Sequence, residues 1–339
     1  MNDLLKSKNL EVINLPIKIQ IKKYLIIVLA IVTIIVLQAL SGQLIQADSN
    51  QNETPFNNSK FVEIDNINLH YRIDKAITDQ PLGKILMVHG MGGSTYCWRE
   101  NTGPLSESGF TVITVDLPAF GFSDRQPGLD HTAKNRADWL WGLLDFLDSE
   151  LFNDNTPWIL VGHSMGAKPI AEMAFNRNQD VEALIFVSGA VFNSPPNLIG
   201  NLSDRTPFNH IFEFVIQNIL HQPFAINRAL KSAYGREVSE EQLSQYLEPL
   251  KLEGTARAWL DLVRSSSDEL QNLEQLEIKS LLIWGSEDSW VPVDDAIKLN
   301  NKLPESYLEI ISDNHHMPMV TASEEVNNLI IDFLNNIVR

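Results

Sequence analysis

Cysteine is the scarcest residue in this chain, with one, Cys97, among 339. A lone thiol closes no intrachain disulfide, so the fold is no disulfide scaffold; Cys97 reads as a core thiol, and the redox compartment stays open. Positive charge is also scarce: 26 Lys and Arg stand against 43 Asp and Glu, a formal charge of -17. Five lysines and two acids fall within residues 1–23, which leaves -20 on everything after them. An acidic body of that kind, with no basic patch and no interleaved aromatics, repels nucleic acid and bare anionic lipid. Internal repeats and low-complexity tracts are missing as well. The histidines His70, His131, His210 and His221 show no ligand spacing with one another or with cysteine, so no metal site is expected. There is no G-x-x-x-x-G-K and no dinucleotide-type glycine spacing, and no cofactor is expected.

Long apolar runs are missing too, except one. Leu25 to Leu37 is interrupted only by Thr33 and follows lysine-bearing sequence. Counted over 24–45 it would make a helix of ~33 Å, enough to cross a hydrocarbon core of ~30 Å. It reads as a membrane anchor. The h-region of a cleavable signal is the alternative, because Ser41 and Ala47 are small enough to precede a cut. Either way residues 1–23 form a basic cytoplasmic terminus and the acidic body lies across the membrane, anchored in one case and secreted in the other. Residues 46–60 are polar and read as a linker, and the folded domain is expected over 61–339.

With 44% hydrophobic residues the body can bury a large core. "FVEIDNINLHYRID" alternates as a strand or hairpin does. "KILMVHG", "FTVITVD", "WILVGHS", "ALIFVSG" and "SLLIWGS" are short apolar runs, each followed by a glycine or an acid, as in strands buried on both faces. Helical patterns fall at 132–151, 165–176 and 322–338. Strands alternating with helices imply an α/β fold, a mostly parallel sheet flanked by helices, with sites at the carboxyl ends of its strands. The alternation lapses after "VSGAVFNSPP", and two helical stretches follow before the next strand. That predicts a helical insert, or cap, over about 194–275.

One segment has a chemical reading. In Gly162-His163-Ser164-Met165-Gly166 a serine lies between two glycines, where "WILV" meets the helical "MGAKPIAEMAF". A strand, a tight turn and a helix in that order present a hydroxyl at the sheet edge, at the positive end of a helix. Such a serine needs a base, and the base an orienting acid. Asp288 follows a buried strand in "LLIWGSEDSWVP", and "SDNHHMPMV" offers His315 and His316. Ser164, Asp288 and His316 follow in the chain order of triads on such sheets.

Together these motifs make the chain resemble a serine-nucleophile, esterase- or lipase-like member of the α/β-hydrolase superfamily, from about Phe61 to the end. The resemblance implies that the G-x-x-D-x-x-V-P pattern, Gly285 to Pro292, puts the acid at Asp288. The G-H-x-P pattern puts the base at His316, with His315 where the family usually has glycine. His89-Gly90-Met91-Gly92-Gly93 resembles the family's oxyanion loop, so the amides of Met91 and Met165 would hold the oxyanion. "DLPAFGFSD", with Ala119 at a common glycine position, reads as structural. His163 reads as a packing residue of the elbow. Lys168 is either a surface stem or a charge near the pocket. The implied activity is hydrolysis of a small-molecule carboxylic ester with an apolar part through an acyl-enzyme. Phe208, Phe212, Phe214, Phe224 and Trp259 are offered as pocket lining. The same triad would also suit carbon-carbon, thioester or amide bonds, and the reading of another class is a membrane-tethered binding protein without turnover.

Overall fold

A computed structural model describes residues 55–152, 156–192, 208–220, 222–265 and 270–337, with only the backbone given for 208–212. The expected basic terminus, the apolar segment 24–45, and the side chains of Phe208, His210, Phe212 and His221 therefore lie outside the described residues. No helix among the described residues is long and apolar enough to cross a membrane.

The described residues include eight strands: β1 (Ser59–Ile64), β2 (Ile67–Asp74), β3 (Gly83–Val88), β4 (Phe110–Val115), β5 (Trp158–His163), β6 (Val181–Val187), β7 (Ser280–Gly285) and β8 (Ser306–Ile311). They form one sheet in the order β1-β2-β4-β3-β5-β6-β7-β8. Pairings from β4 onward are parallel, while β1 with β2 and β2 with β4 are antiparallel. The first two strands make the expected hairpin. Its turn residues Asp65 and Asn66 have φ of 51° and 63°, the left-handed pair that matches the twist of flanking strands.

The central strands bury both faces in a two-residue alternation. Trp158 and Leu160 of β5 join one cluster, with Leu86 and Val88 of β3 and Leu282 and Trp284 of β7. Ile159 and Val161 join the other, with Ile85, Met87, Leu281 and Ile283. That is why these strands read as continuous apolar runs.

The helices are α1 (Thr102–Glu107), α2 (Ala133–Leu147), α3 (Ala167–Asn176), α4 (Phe208–Leu220), α5 (Pro223–Tyr234), α6 (Glu240–Leu250), α7 (Thr255–Arg264), α8 (Val293–Lys302), α9 (Pro318–Thr321) and α10 (Ser323–Ile337). Thr132 caps α2, its hydroxyl accepting from the Asn135 amide. Helices α4 to α7 lie between β6 and β7 in the sequence, within the expected insert. Each of its two predicted helical stretches is divided. Pro223 opens α5 at a position where its missing N–H costs nothing, and Gly254, at φ 83°, starts α7 from a conformation other residues resist.

Two features of the fold went unread in the sequence. The body starts earlier than Phe61: β1 begins at Ser59, the Phe56 amide donates to the Ser59 hydroxyl at 3.0 Å, and Arg72 lies 4.4 Å from the Phe56 ring. Polar composition hid a turn that the hairpin anchors. Strand β8 and helix α8 had no counterpart in the sequence reading. β8 is an edge strand with Tyr307 and Ile310 exposed, so its apolar signal is diluted.

Candidate active site

The carboxyl ends of β3, β5 and β7 and the segment after β8 all supply residues to one rim. At the end of β5 the chain turns so sharply that Ser164 takes φ 50°, a left-handed conformation that costs a non-glycine residue ~1–2 kcal/mol. A Cβ on Gly162 would fall 2.5 Å from the Gly166 carbonyl, and one on Gly166 would fall 2.6 Å from that of Val88. Only glycine fits at either side of the serine. A short 3-10 turn, Ser164–Gly166, then leads into α3.

The loop after β3 touches this turn directly, since a Cβ on Gly90 would lie 2.8 Å from that of Ser164. His89 holds the loop in place. Its Nε2 accepts from the Leu117 amide at 3.0 Å, which leaves the proton on Nδ1 to donate to the Gly90 carbonyl at 2.7 Å. Burial lowers the His89 pKa, in keeping with this neutral ring.

His316 and Asp288 meet as expected, with His316 Nδ1 2.8 Å from Asp288 Oδ2. Asp288 Oδ1 accepts from the amides of Trp290 and Val291, both at 2.9 Å. Burial alone would raise the Asp288 pKa, but the bond and charge of His316 and these two amides outweigh it and hold the group below the usual carboxylate range. It is therefore a carboxylate at neutral pH, able to fix the ring with Nε2 unprotonated. His315 points elsewhere: its Nε2 is 3.5 Å from Glu287 and its ring packs against the Gly235 turn of the insert.

His163 is buried and donates from Nε2 to the His316 carbonyl at 2.9 Å. Burial first, then the neighbouring His316, lowers its pKa to about 3, so it stays neutral. It positions the backbone of His316, in line with the expected packing role. Trp290 stacks on the His316 ring at 5.3 Å and 21°. The sequence reading passed over Trp290, although it stands just before the Val-Pro of the acid's motif.

Ser164, Met165, Met91 and His316 line one cavity of about 540 Å³, with Trp259 and Trp290 on its wall. Trp259 thus lies where it was expected. Phe214 and Phe224 do not: they are 41% and 78% exposed and stay outside the lining. Lys168 is buried and on the cavity wall, so it is a charge near the pocket rather than a surface stem. Arg136 and His131 also reach this cavity; neither was singled out for the site. No group of three or more potential metal-ligating side chains occurs among the described residues.

A second serine-histidine-aspartate chain, Ser59, His70 and Asp116, has both contacts at 2.7 Å. Here, however, Asp116 also accepts from the amides of Thr95 and Phe122, and the Ser59 hydroxyl accepts from Phe56. These residues tie β1 and β2 to the loops after β3 and β4, and none lines the cavity.

The sequence matches the Alpha/beta hydrolase family over residues 85–329. A hydrolase of Bacillus subtilis, YugF, is 26% identical over 285 residues, covering 80% of this chain and 96% of the relative. A 2-hydroxy-6-oxo-6-phenylhexa-2,4-dienoate hydrolase of Comamonas testosteroni is 28% identical over 295 residues, covering 83% of this chain and 98% of the relative. Among solved structures, a bacterial membrane phospholipase A superposes with a TM-score of 0.66 at 21% identity, covering 82% of this chain and 86% of that one. That last likeness concerns the fold.

Proposed function

Because the chain belongs to the alpha/beta hydrolase family and is a hydrolase, we propose that it cleaves a carboxylic ester through an acyl-enzyme on Ser164. The observation that carries this reading is a strained Ser164 sharing one cavity with the Asp288-bound ring of His316. With Nδ1 held by the carboxylate, Nε2 is the basic nitrogen, and it takes the hydroxyl proton as Ser164 Oγ attacks the carbonyl carbon. The carbonyl electron pair moves to oxygen, where the Met91 and Met165 amides and the start of α3 offset the charge. When the tetrahedral species collapses, the proton on Nε2 goes to the leaving alkoxide. Water then repeats the cycle in reverse and frees the acid. His163 and Trp290 keep the ring in place by one hydrogen bond and one stacked face. The apolar lining favours a substrate with a hydrocarbon part near the scissile bond.

Labelling with a fluorophosphonate tests this. Wild type should label and Ser164→Ala should not, and p-nitrophenyl esters should be turned over by the protein that labels. Folded wild type that neither labels nor hydrolyses any ester would instead match a binding protein without turnover.

A second reading is favoured by one observation. The Comamonas testosteroni relative is named for a 6-oxo dienoate, and a ketone has only carbon neighbours to lose. The same triad could then direct water to a carbon-carbon bond. Turnover of such a dienoate at a higher kcat/KM than any ester would select it. We also propose that residues 24–45 anchor the enzyme with its hydrolase domain outside the cytoplasm; recovery of the full-length chain from carbonate-washed membranes would be expected, and a mature protein starting near residue 48 would show cleavage instead.

A further inference from the structure

Two cationic side chains on the cavity wall, Arg136 and Lys168, take no part in the chemistry above. Arg136, on α2, is 2% exposed and lines the cavity. Its Nη1 rests 3.0 Å from the Met165 thioether, and its guanidinium carbon is 5.7 Å from the Phe120 ring centre. Its Nε and Nη2 atoms are buried and meet no acceptor among the described residues. Beside it His131, also buried and on the wall, has neither ring nitrogen paired.

A guanidinium is not easily discharged, and a buried charge is retained when something offsets its desolvation. A thioether and an aromatic face are weak partners for a cation. Burial lowers the Arg136 pKa to about 9, which still leaves it charged at neutral pH. Burial and the charge of Arg136 hold His131 down to about 3, so its ring is neutral and offers one N–H. Nε and Nη2 lie on one edge of the guanidinium, the edge that receives both oxygens of a carboxylate. Lys168 adds a second cation on the same wall.

We infer that Arg136, with the His131 N–H beside it, is a carboxylate subsite, so that the preferred substrate is a half-ester whose acyl chain ends in a carboxylate. The proposal rests on the acyl-transfer reading and adds the substrate class to it. Ser164, Met165 and Arg136 line the same cavity and the Met165 sulfur touches Arg136, so an acyl chain on the serine that runs past Met165 heads towards Arg136. The methionine sulfur occupies Nη1, which leaves the Nε–Nη2 edge as the one without a partner among the described residues.

The test compares p-nitrophenyl esters of succinic, glutaric and adipic half-acids with the same chains ending in carboxamide. Wild type should favour the acid by about tenfold or more in kcat/KM at the best chain length. In Arg136→Gln the ratio should fall to near one, and Arg136→Lys should recover part of it. Binding gives a readout apart from turnover. Glutarate should raise the Tm of wild type and of Ser164→Ala, but not of Arg136→Gln, while sodium chloride at equal ionic strength should do nothing. A wild-type ratio near one in protein whose serine labels with fluorophosphonate would overturn the subsite and leave the hydrolase standing. A response to inorganic phosphate without one to glutarate would overturn the carboxylate assignment. Protein that does not label yet binds glutarate through Arg136 would keep the subsite and sink the acyl-transfer reading.

Discussion

Asp288→Asn is the perturbation whose outcome the geometry fixes most tightly. Asp288 Oδ1 accepts from two backbone amides at 2.9 Å each. An asparagine must keep its carbonyl oxygen there, because an NH2 group facing two N–H donors would leave three donors unpaired. Its amide nitrogen is then forced to the Oδ2 position, 2.8 Å from His316 Nδ1, with a hydrogen aimed at the ring. To accept it, Nδ1 must lose its proton, and the proton moves to Nε2. The ring stays in place but cannot take a proton from Ser164. In a serine protease with the same three groups, a substitution of this kind lowers turnover by about 10,000-fold, or ~5.5 kcal/mol at ~1.4 kcal/mol per tenfold. A loss of that order is expected in kcat/KM on whichever p-nitrophenyl ester the wild type prefers, with Tm within a few degrees of wild type. A folded Asp288→Asn protein within tenfold of wild type would refute the tautomer argument and the acid's assignment together.

His316→Ala should remove at least ~100-fold more activity than His315→Ala, since the reported worth of a general base is ~100- to 10,000-fold and His315 faces Glu287 instead. Rates on one ester decide it, and a larger loss at His315 would reverse the assignment. Stability should fall as pH drops from about 6.5 towards 3, because His131 and His163 are held near 3 when folded while the unfolded chain takes up protons from about 6.5 downward. Both groups together predict a loss of about 2–4 kcal/mol between pH 7 and pH 5, measured by urea unfolding, and a shallower slope in His163→Gln. Arg136→Met should leave the free protein as stable as wild type or more so by up to ~4 kcal/mol, since it exchanges an unpaired buried charge for an apolar chain. Destabilisation beyond ~2 kcal/mol would show that the guanidinium supports the fold.

Ser164, Asp288 and His316, the residues proposed as the triad, were legible because each is tied to a local shape that leaves a trace in sequence. Gly162 and Gly166 are there because Cβ atoms would strike carbonyl oxygens, and Gly285 because a Cβ would strike the backbone at Asn314 and His315. Contacts of that kind turn three-dimensional crowding into a short pattern of letters. The sheet was legible for a related reason: strands buried on both faces admit few polar residues, whereas the half-exposed edge strand β8 admits them and was missed. His315 and His316 could be told apart on the sequence only by the family pattern; the distances to Glu287 and Asp288 separate them directly.

Arg136 left no such trace. Its neighbours Ala133, Ala137 and Leu140 are buried too, yet an arginine on an amphipathic helix reads as part of the solvent face unless the fold shows otherwise. Whether a cation on a helix faces water or a cavity depends on which strand the helix packs behind and on what the insert covers, and neither is written near residue 136. The same holds for Trp290, whose stacking on His316 depends on β7 and β8 lying side by side. Residues that perform a reaction therefore tend to sit on turns whose backbone demands are local, while residues that choose a substrate sit wherever the assembled walls happen to place them. In this protein the two kinds meet at Met165, whose amide is proposed to face the oxyanion while its sulfur covers the cation. On these two proposals reaction and selection are coupled through one residue, and widening the choice of substrate at Arg136 without disturbing the serine turn requires that Met165 keep its backbone where it is.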